Sequence, residues 1–344
     1  MTLRGKNKEE IPRLMAGDIA VLPKLKLTAT GDSLGDKSRI VFFEPVHYPE
    51  PALSFSVKPK SKADQEKMAL GLGAFTHEDP TFKIQYHQDT KETVISGMGD
   101  IHIDVMLHRL KERFNIEIEI GEPRIPYKET ILSKAKAQGK YKKQTGGRGQ
   151  YGDTWLEIEP LSRGKGFEFV DKIVGGVVPK NYIPSVEKGV REAMLSGIIA
   201  GYPVVDVRVT LFDGSYHEVD SSDMAFKIAA SMGFKKAFQE AKPIILEPIV
   251  EITVNVPPEY VGEVTGDLNK RRGKILHIET DKVSALVPLG EISKYATELR
   301  SFTHGQGNFS TKLSHYETVP PATQQKLVDK YQKLKEAGDL ERQT

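Results

Sequence analysis

The pattern that most constrains this chain is an order of short apolar runs that occurs twice. Leu53–Val57 alternates apolar and polar residues like a half-buried strand. Ser61–Phe75 then places Met68, Leu72 and Phe75 at helical spacing, with Ser61 as the expected N-cap. Phe82–Tyr86 and Thr93–Ser96 read as strands around the turn-prone Asp89–Glu92, Ile101–Phe114 returns to the helical period, and Ile116–Ile120 alternates again. The same βαββαβ order recurs in Ile249–Val256, Pro258–Arg271, Ile275–Ile278, Val283–Val287, Leu289–Leu299 and Asn308–Ser314. Each unit is predicted to fold as a split βαβ sheet backed by two helices.

The segments around these units differ. Between them lie strand-like runs at Tyr127–Ile131, Trp155–Glu159 and Phe167–Val170, and a helix over Tyr182–Ile199 stopped by Gly201. A strand follows at Val204–Phe212, then a helix over Ser221–Glu240 with Asp220 as its expected cap. Residues 1–45 hold only the short runs Ile19–Leu22, Leu25–Thr28 and Ile40–Phe43, too few to bury a face, and read as the remnant of a larger β-domain. Pro45, Pro49 and Pro51 mark a linker, and Ala322–Leu334 a terminal amphipathic helix before a polar, frayed tail. A chain of 344 residues suits two to four domains. The expected limits are 1–45, 46–122, 123–246, 247–320 and 321–344.

Composition removes several chemistries. With no cysteine, disulfides, thiol nucleophiles and cysteine-held zinc or iron–sulfur centres are excluded. No apolar run reaches the length of a membrane span and no signal-peptide core follows Met1, so the expected compartment is the cytoplasm. His102 and His108 lie six residues apart on a predicted helix, which is not a metal-ligand spacing, and no metal site is expected.

Charge is local. The chain carries 49 basic and 47 acidic residues, yet no acidic residue occurs from Ile131 to Gly152, where Lys134, Lys136, Lys140, Lys142, Lys143 and Arg148 accompany four glycines between Gly146 and Gly152. Gly147–Gly152 matches the dinucleotide fingerprint G-x-G-x-x-G, but that motif needs a following helix, and Trp155–Glu159 alternates as a strand. No P-loop sequence occurs. A glycine-rich hairpin tip with spaced cations suits nucleic acid, where Gln144, Gln150 and Tyr151 add hydrogen bonding and stacking. A solvated loop is the plain alternative. His217 lies near Ser221 and Ser222, which admits a hydrolase triad, although no nucleophile-elbow sequence accompanies it. Lys270–Lys274 is a second basic cluster, open to phosphate contact or to favourable placement at a helix C-terminus.

Several longer motifs carry a resemblance. Gly139–Gly152 (GKYKKQTGGRGQYG) is similar to the signature loop of the fourth domain of elongation factor G, the ribosomal translocase. Ala16–Ile19 and Thr30–Leu34 resemble the end of that family's second, β-barrel domain, and Ile95–Ile103 its third. Val174–Lys180, Ala200–Asp206 and Asp213–Ser222 resemble the fourth, while Asp267–Gly273, Val287–Leu289 and Tyr295–Ser301 resemble the fifth. The resemblance implies an α+β multidomain chain: two ferredoxin-like βαββαβ domains flanking an elongated α/β domain of the ribosomal protein S5 domain 2-like type, preceded by a β-barrel remnant. It implies that the GTP-binding domain, with its GTP and Mg²⁺, lies outside this sequence, which itself holds no cofactor and catalyses nothing. The implied partner is the ribosome, through RNA of both subunits and the tRNA–mRNA pair at the A site, with the chain as a monomer. The implied tip residues are Lys142, Lys143, Gln144, Thr145, Gly146, Gly147, Arg148, Gly149, Gln150 and Tyr151, joined by His217. Lys270, Arg271, Arg272 and Gly273 would face large-subunit RNA. Thr145 replaces the usual Ser of the tip and Gly99–Val105 departs from the usual GELHLEI-like stretch, which points to a diverged paralogue acting in translocation, recycling or a specialised role.

Overall fold

A computed structural model describes residues 1–25, 27–39, 41–51, 53–144 and 149–337. It divides into two compact units, residues 1–86 with 93–121 and residues 87–92 with 122–344.

The first unit opens with a hairpin of β1 (Thr2–Arg4) and β2 (Asn7–Glu9). The three strand-like runs expected between residues 19 and 43 form no strand among the described residues, and Ile19, Leu27, Phe42 and Phe43 are exposed. Among the described residues no barrel closes there. Runs of about four residues bury too little to offset their ordering entropy without partner strands. The regular part comprises β3 (Leu53–Pro59), α1 (Gln65–Glu78), β4 (Lys83–His87), β5 (Glu92–Gly97), α2 (Asp100–Phe114) and β6 (Ile118–Gly121). Its sheet order, β4-β5-β3-β6, puts the first strand inside, as a ferredoxin-like unit requires. Leu72, Phe75, Ile95, Ile103 and Leu110 fill its core. Ser61 does not cap α1. Its hydroxyl accepts from Ala63 N at 3.2 Å and caps the 3-10 turn Lys62–Asp64 that precedes the helix.

The second unit begins with β7 (Lys128–Ile131), β8 (Ala135–Lys143), β9 (Gln150–Pro160) and β10 (Phe167–Asp171). It continues through α3 (Ile183–Ser196), β11 (Val207–Ser215), α4 (Asp223–Glu240) and β12 (Pro243–Asn255). α5 (Val261–Lys270), β13 (Lys274–Ile278), β14 (Lys282–Pro288), α6 (Tyr295–Phe302), β15 (Asn308–Thr318) and α7 (Pro321–Glu336) complete it. One sheet runs β10-β11-β9-β8, parallel between β10 and β11 and antiparallel elsewhere. Leu156, Ile158, Val209 and Leu211 point to one face, where Val186 and Val190 of α3 and Phe226, Phe234 and Phe238 of α4 meet them. Helix α4 lies directly on β8. A Cβ built on Gly139 would stand 2.0 Å from Ala229 O and 2.4 Å from Gly233 N, so any side chain there would push the helix off the sheet.

The other sheet runs β13-β14-β12-β15, the second ferredoxin-like order, with β7 added beside β12. Strand β12 serves two neighbours along one edge: Pro243–Leu246 pair with β7, and Ile249–Asn255 pair with β14. Pro248, which lacks an N–H, falls in the gap between them. The strand runs straight through residues 246 and 247. Glu129 of β7 is fully buried and accepts from the backbone N–H groups of Ile198, Ile199, Ala200 and Tyr202 at 2.7–3.1 Å. Burial pushes its carboxyl above the usual range, against the pull of those four donors. Helix α7 packs here through Val328 and Tyr331, and Gln324 bonds Ile245 N and Pro243 O at 3.1 and 3.3 Å. Among the described residues no helix is long and apolar enough to cross a membrane.

Candidate nucleic-acid interface

The basic stretch is mostly strand. β8 and β9 pair antiparallel and in register from Ala135↔Ile158 out to Lys143↔Gln150. Thr145, Gly146, Gly147 and Arg148 lie outside the described residues. The last three residues of the glycine fingerprint, Gln150–Gly152, already lie in β9 and continue as strand, where a pyrophosphate site would need the N-terminus of a helix.

Charge changes character along this hairpin. Near its base, Lys134 and Lys136 hold Glu157 at 2.6 and 2.9 Å, and Arg208 holds Glu159 at 2.6 Å. These cations keep both carboxyls below their ordinary range. Nearer the tip, Lys140, Lys142 and Lys143 are exposed and form no ion pair among the described residues. The strand opposite explains the difference: β9 sets Glu157 against Lys136, sets Asp153, whose carboxylate is taken up by Gln138 and Ser215, against Lys140, and offers only Tyr151 and Gln150 to Lys142 and Lys143.

A second loop, residues 216–222, is bound to the hairpin. Asp220 accepts from Gly149 N at 3.0 Å through its carboxylate and from Tyr151 N at 2.8 Å through its carbonyl. Asp220 is therefore not the cap of α4. That position belongs to Ser222, whose hydroxyl accepts from Ala225 N at 3.2 Å. Ser221 is buried and engaged on both sides, donating to Tyr151 O at 3.0 Å and accepting from His217 N at 2.9 Å. Both serines of the triad-like sequence thus hold the backbone in place. Tyr151 O–H meets Ser215 Oγ at 2.7 Å, and Ser215 in turn donates to buried Asp153 at 2.8 Å. The result holds His217 exposed, its ring 6.5 Å from that of Tyr151 and its Nδ1 3.5 Å from Asp220. Local pattern could not reveal Asp220 and Ser221 as the clasp, because their partners lie about seventy residues away.

The second basic cluster has another fate. Arg271 lies against the Tyr295 ring at 5.1 Å, donates to Asp267 at 2.7 Å and to Glu291 O at 2.8 Å, and pairs with Glu298. Arg272, at φ 62°, pairs with the buried Glu247 and with Glu291 at 3.4 Å. A Cβ on Gly273 would stand 2.4 Å from Leu268 O, so this glycine serves packing. Lys270 alone of the four presents an exposed cation without an ion pair among the described residues.

Comparison with known families agrees with this architecture. The model of elongation factor G domain III matches residues 48–122, that of domain IV residues 123–242, and that of the C-terminus residues 244–327. Among solved structures, a crystal structure of a protein from Thermus thermophilus is similar, with 40% identity and a TM-score of 0.72. The match covers 88% of this chain and 46% of that one, so the chain spans less than half of its relative's length. The three family matches follow one another in order and coincide with the two ferredoxin-like units and the α/β domain between them in sequence. The chain belongs to the elongation factor G family.

Proposed function

We propose that the chain is the ribosome-binding part of a translation elongation factor, and that the end of the β8–β9 hairpin contacts RNA at the small-subunit decoding site to promote tRNA–mRNA translocation. The observation that carries this reading is the charge gradient: cations neutralised at the base of the hairpin and unpaired at Lys140, Lys142 and Lys143, beside His217. Lysines without carboxylate partners, on a clasped rather than a loose frame, are placed to displace counterions from phosphate. Gln144, Gln150 and Tyr151 supply contacts to unpaired bases, and Thr145 to Gly149 complete the loop in this proposal. The reading includes a cytoplasmic, monomeric protein.

The sequence has no P-loop to hold GTP and Mg²⁺. In this proposal nucleotide hydrolysis belongs to a domain outside this sequence.

Pelleting of the chain with ribosomes over a salt series tests the reading. Binding should weaken steeply as salt rises from about 50 to 200 mM. Replacing Lys142, Lys143 and Arg148 by Ala should reduce the slope of log affinity against log salt by about three. Absent binding, or an unchanged slope, would overturn it.

A further inference from the structure

Helices α3 and α4 cover one face of the β10-β11-β9-β8 sheet, and the other face carries an arrangement that the hairpin tip does not explain. By register and alternation, the rungs Lys136–Glu157, Gln138–Trp155, Lys140–Asp153 and Lys142–Tyr151 all point to it. Trp155 is 36% exposed there. A bulge in β11, where the register shifts between Leu211 and Asp213, inserts Phe212 so that its ring lies 6.3 Å from that of Trp155. Lys136 Nζ sits 4.9 Å over the Phe212 ring, and Lys140 Nζ 5.7 Å over that of Tyr151. A large aromatic side chain thus stands partly exposed beside the bulged Phe212, with cations over the neighbouring rings, at a place where the sheet needs no core.

We propose that this face is a stacking platform for single-stranded RNA, with Trp155 stacking a base, Phe212 buttressing it, and Lys140 and Lys142 contacting phosphates. The proposal rests on the reading that the hairpin tip meets RNA, and extends that contact about 13 Å down β9, the length of four strand residues. The occupant follows from charge and continuity. Lys140 and Lys142 form no ion pair among the described residues, Glu157 is already neutralised by Lys134 and Lys136, and Asp153, opposite Lys140, is buried and accepts from Gln138 and Ser215 at 2.8 Å each. The lysine row runs without a break into the proposed tip contact. Aromatic rings interleaved with cations bind unpaired strands with little sequence preference.

Trp155 is the one tryptophan of the sequence, so its fluorescence reports this face alone. The full chain is titrated with a single-stranded oligouridylate, and filter binding of the same oligonucleotide is measured in parallel. The expected result is saturable quenching with the same midpoint as the filter assay. Trp155→Ala should weaken binding roughly 5- to 100-fold, as loss of one stacked base does. Trp155→Phe should retain most of the affinity, which guards against a folding defect in the alanine variant. Filter binding that is lost in Lys142→Ala/Lys143→Ala, with unmoved fluorescence and a wild-type Trp155→Ala, would overturn the platform and leave the tip reading intact. Weakened ribosome pelleting by Trp155→Ala with unchanged oligonucleotide binding would assign the face to a protein surface and also overturn it. No oligonucleotide binding in either assay would sink the platform, while ribosome pelleting separately decides the tip.

Discussion

The end of the β8–β9 hairpin and the turn after α5 carry the same sequence signal, two adjacent cations with a glycine nearby, and the fold treats them in opposite ways. At the turn, Arg271 finds Asp267 one helical turn behind it and Glu298 from α6, while Arg272 reaches buried Glu247. At the hairpin, Lys142 and Lys143 stand on a strand whose neighbours carry no acid at that height. The chemistry matches the fate. Planar guanidinium forks suit several fixed carboxylates, and flexible ammonium groups suit a mobile phosphate chain. Local density of positive charge therefore does not separate the two regions; pairing within the fold does, and the proposed RNA contact rests on the cations it leaves over.

The sharpest way to break this comparison is to remove the arginines. Arg272→Ala leaves Glu247 buried without its partner and should cost about 2 kcal/mol of stability in denaturant titrations, less than a fully buried pair because Arg272 is partly exposed. Arg271→Ala should cost a similar amount, and neither should change the salt slope of ribosome binding by the folded protein. If either reduced that slope with stability intact, the turn would be a phosphate contact after all. Next in size, Lys142→Ala/Lys143→Ala should lower affinity roughly tenfold and the slope by about two, at an unchanged melting temperature. A smaller effect tests the base of the hairpin: Glu157→Gln frees Lys136, while Lys134 keeps Glu159 at 3.7 Å, and should raise affinity about twofold, with a steeper salt response. An unchanged affinity would mean that the RNA does not reach that far.

The smallest effect is one of pH. Lys134 and Lys136 hold the Glu157 carboxyl below its ordinary 4.5. A carboxyl with a lowered folded-state pKa stabilises fully above its unfolded value, and that contribution disappears as pH falls below 4.5 and through the folded-state pKa. Thermal melts between pH 6 and about 3 should show a smaller loss for Glu157→Gln than for the parent chain. Equal losses would show that the pair contributes nothing.

Both βαββαβ units were readable because their apolar periods of two and 3.6 persist over whole elements, as at Met68, Leu72 and Phe75. The runs at residues 19–43 have the right residue types but no partner in the unit, and pairing is what makes a strand. Asp220 looked like a cap because capping is a local preference, whereas its donors, Gly149 N and Tyr151 N, come from a distant hairpin. Likewise the expected strand Ile249–Val256 starts six residues later than β12, which runs from Pro243 through Pro248. Only the three-dimensional arrangement reveals that Pro248 sits where one neighbour has stopped and the next has not started. The cluster of cations was legible from composition, and its division into paired cations at the base of the hairpin and unpaired ones beyond was not.

Strand β12 has a mechanical consequence. Its 13 residues span about 43 Å, and its hydrogen bonds fasten it to β7 at one end and to β14 and β15 along the rest. Glu129, anchored in the connection from α3 to β11, and Gln324 of α7 pin the same stretch from two further sides. Bending the joint would rupture backbone ladders and uncover a buried carboxylate. β7, which precedes the hairpin strands in sequence, is thus fixed to the C-terminal ferredoxin-like sheet by backbone hydrogen bonds rather than by a flexible link. If the hairpin contacts RNA as proposed, a load on it is expected to reach that sheet through this joint.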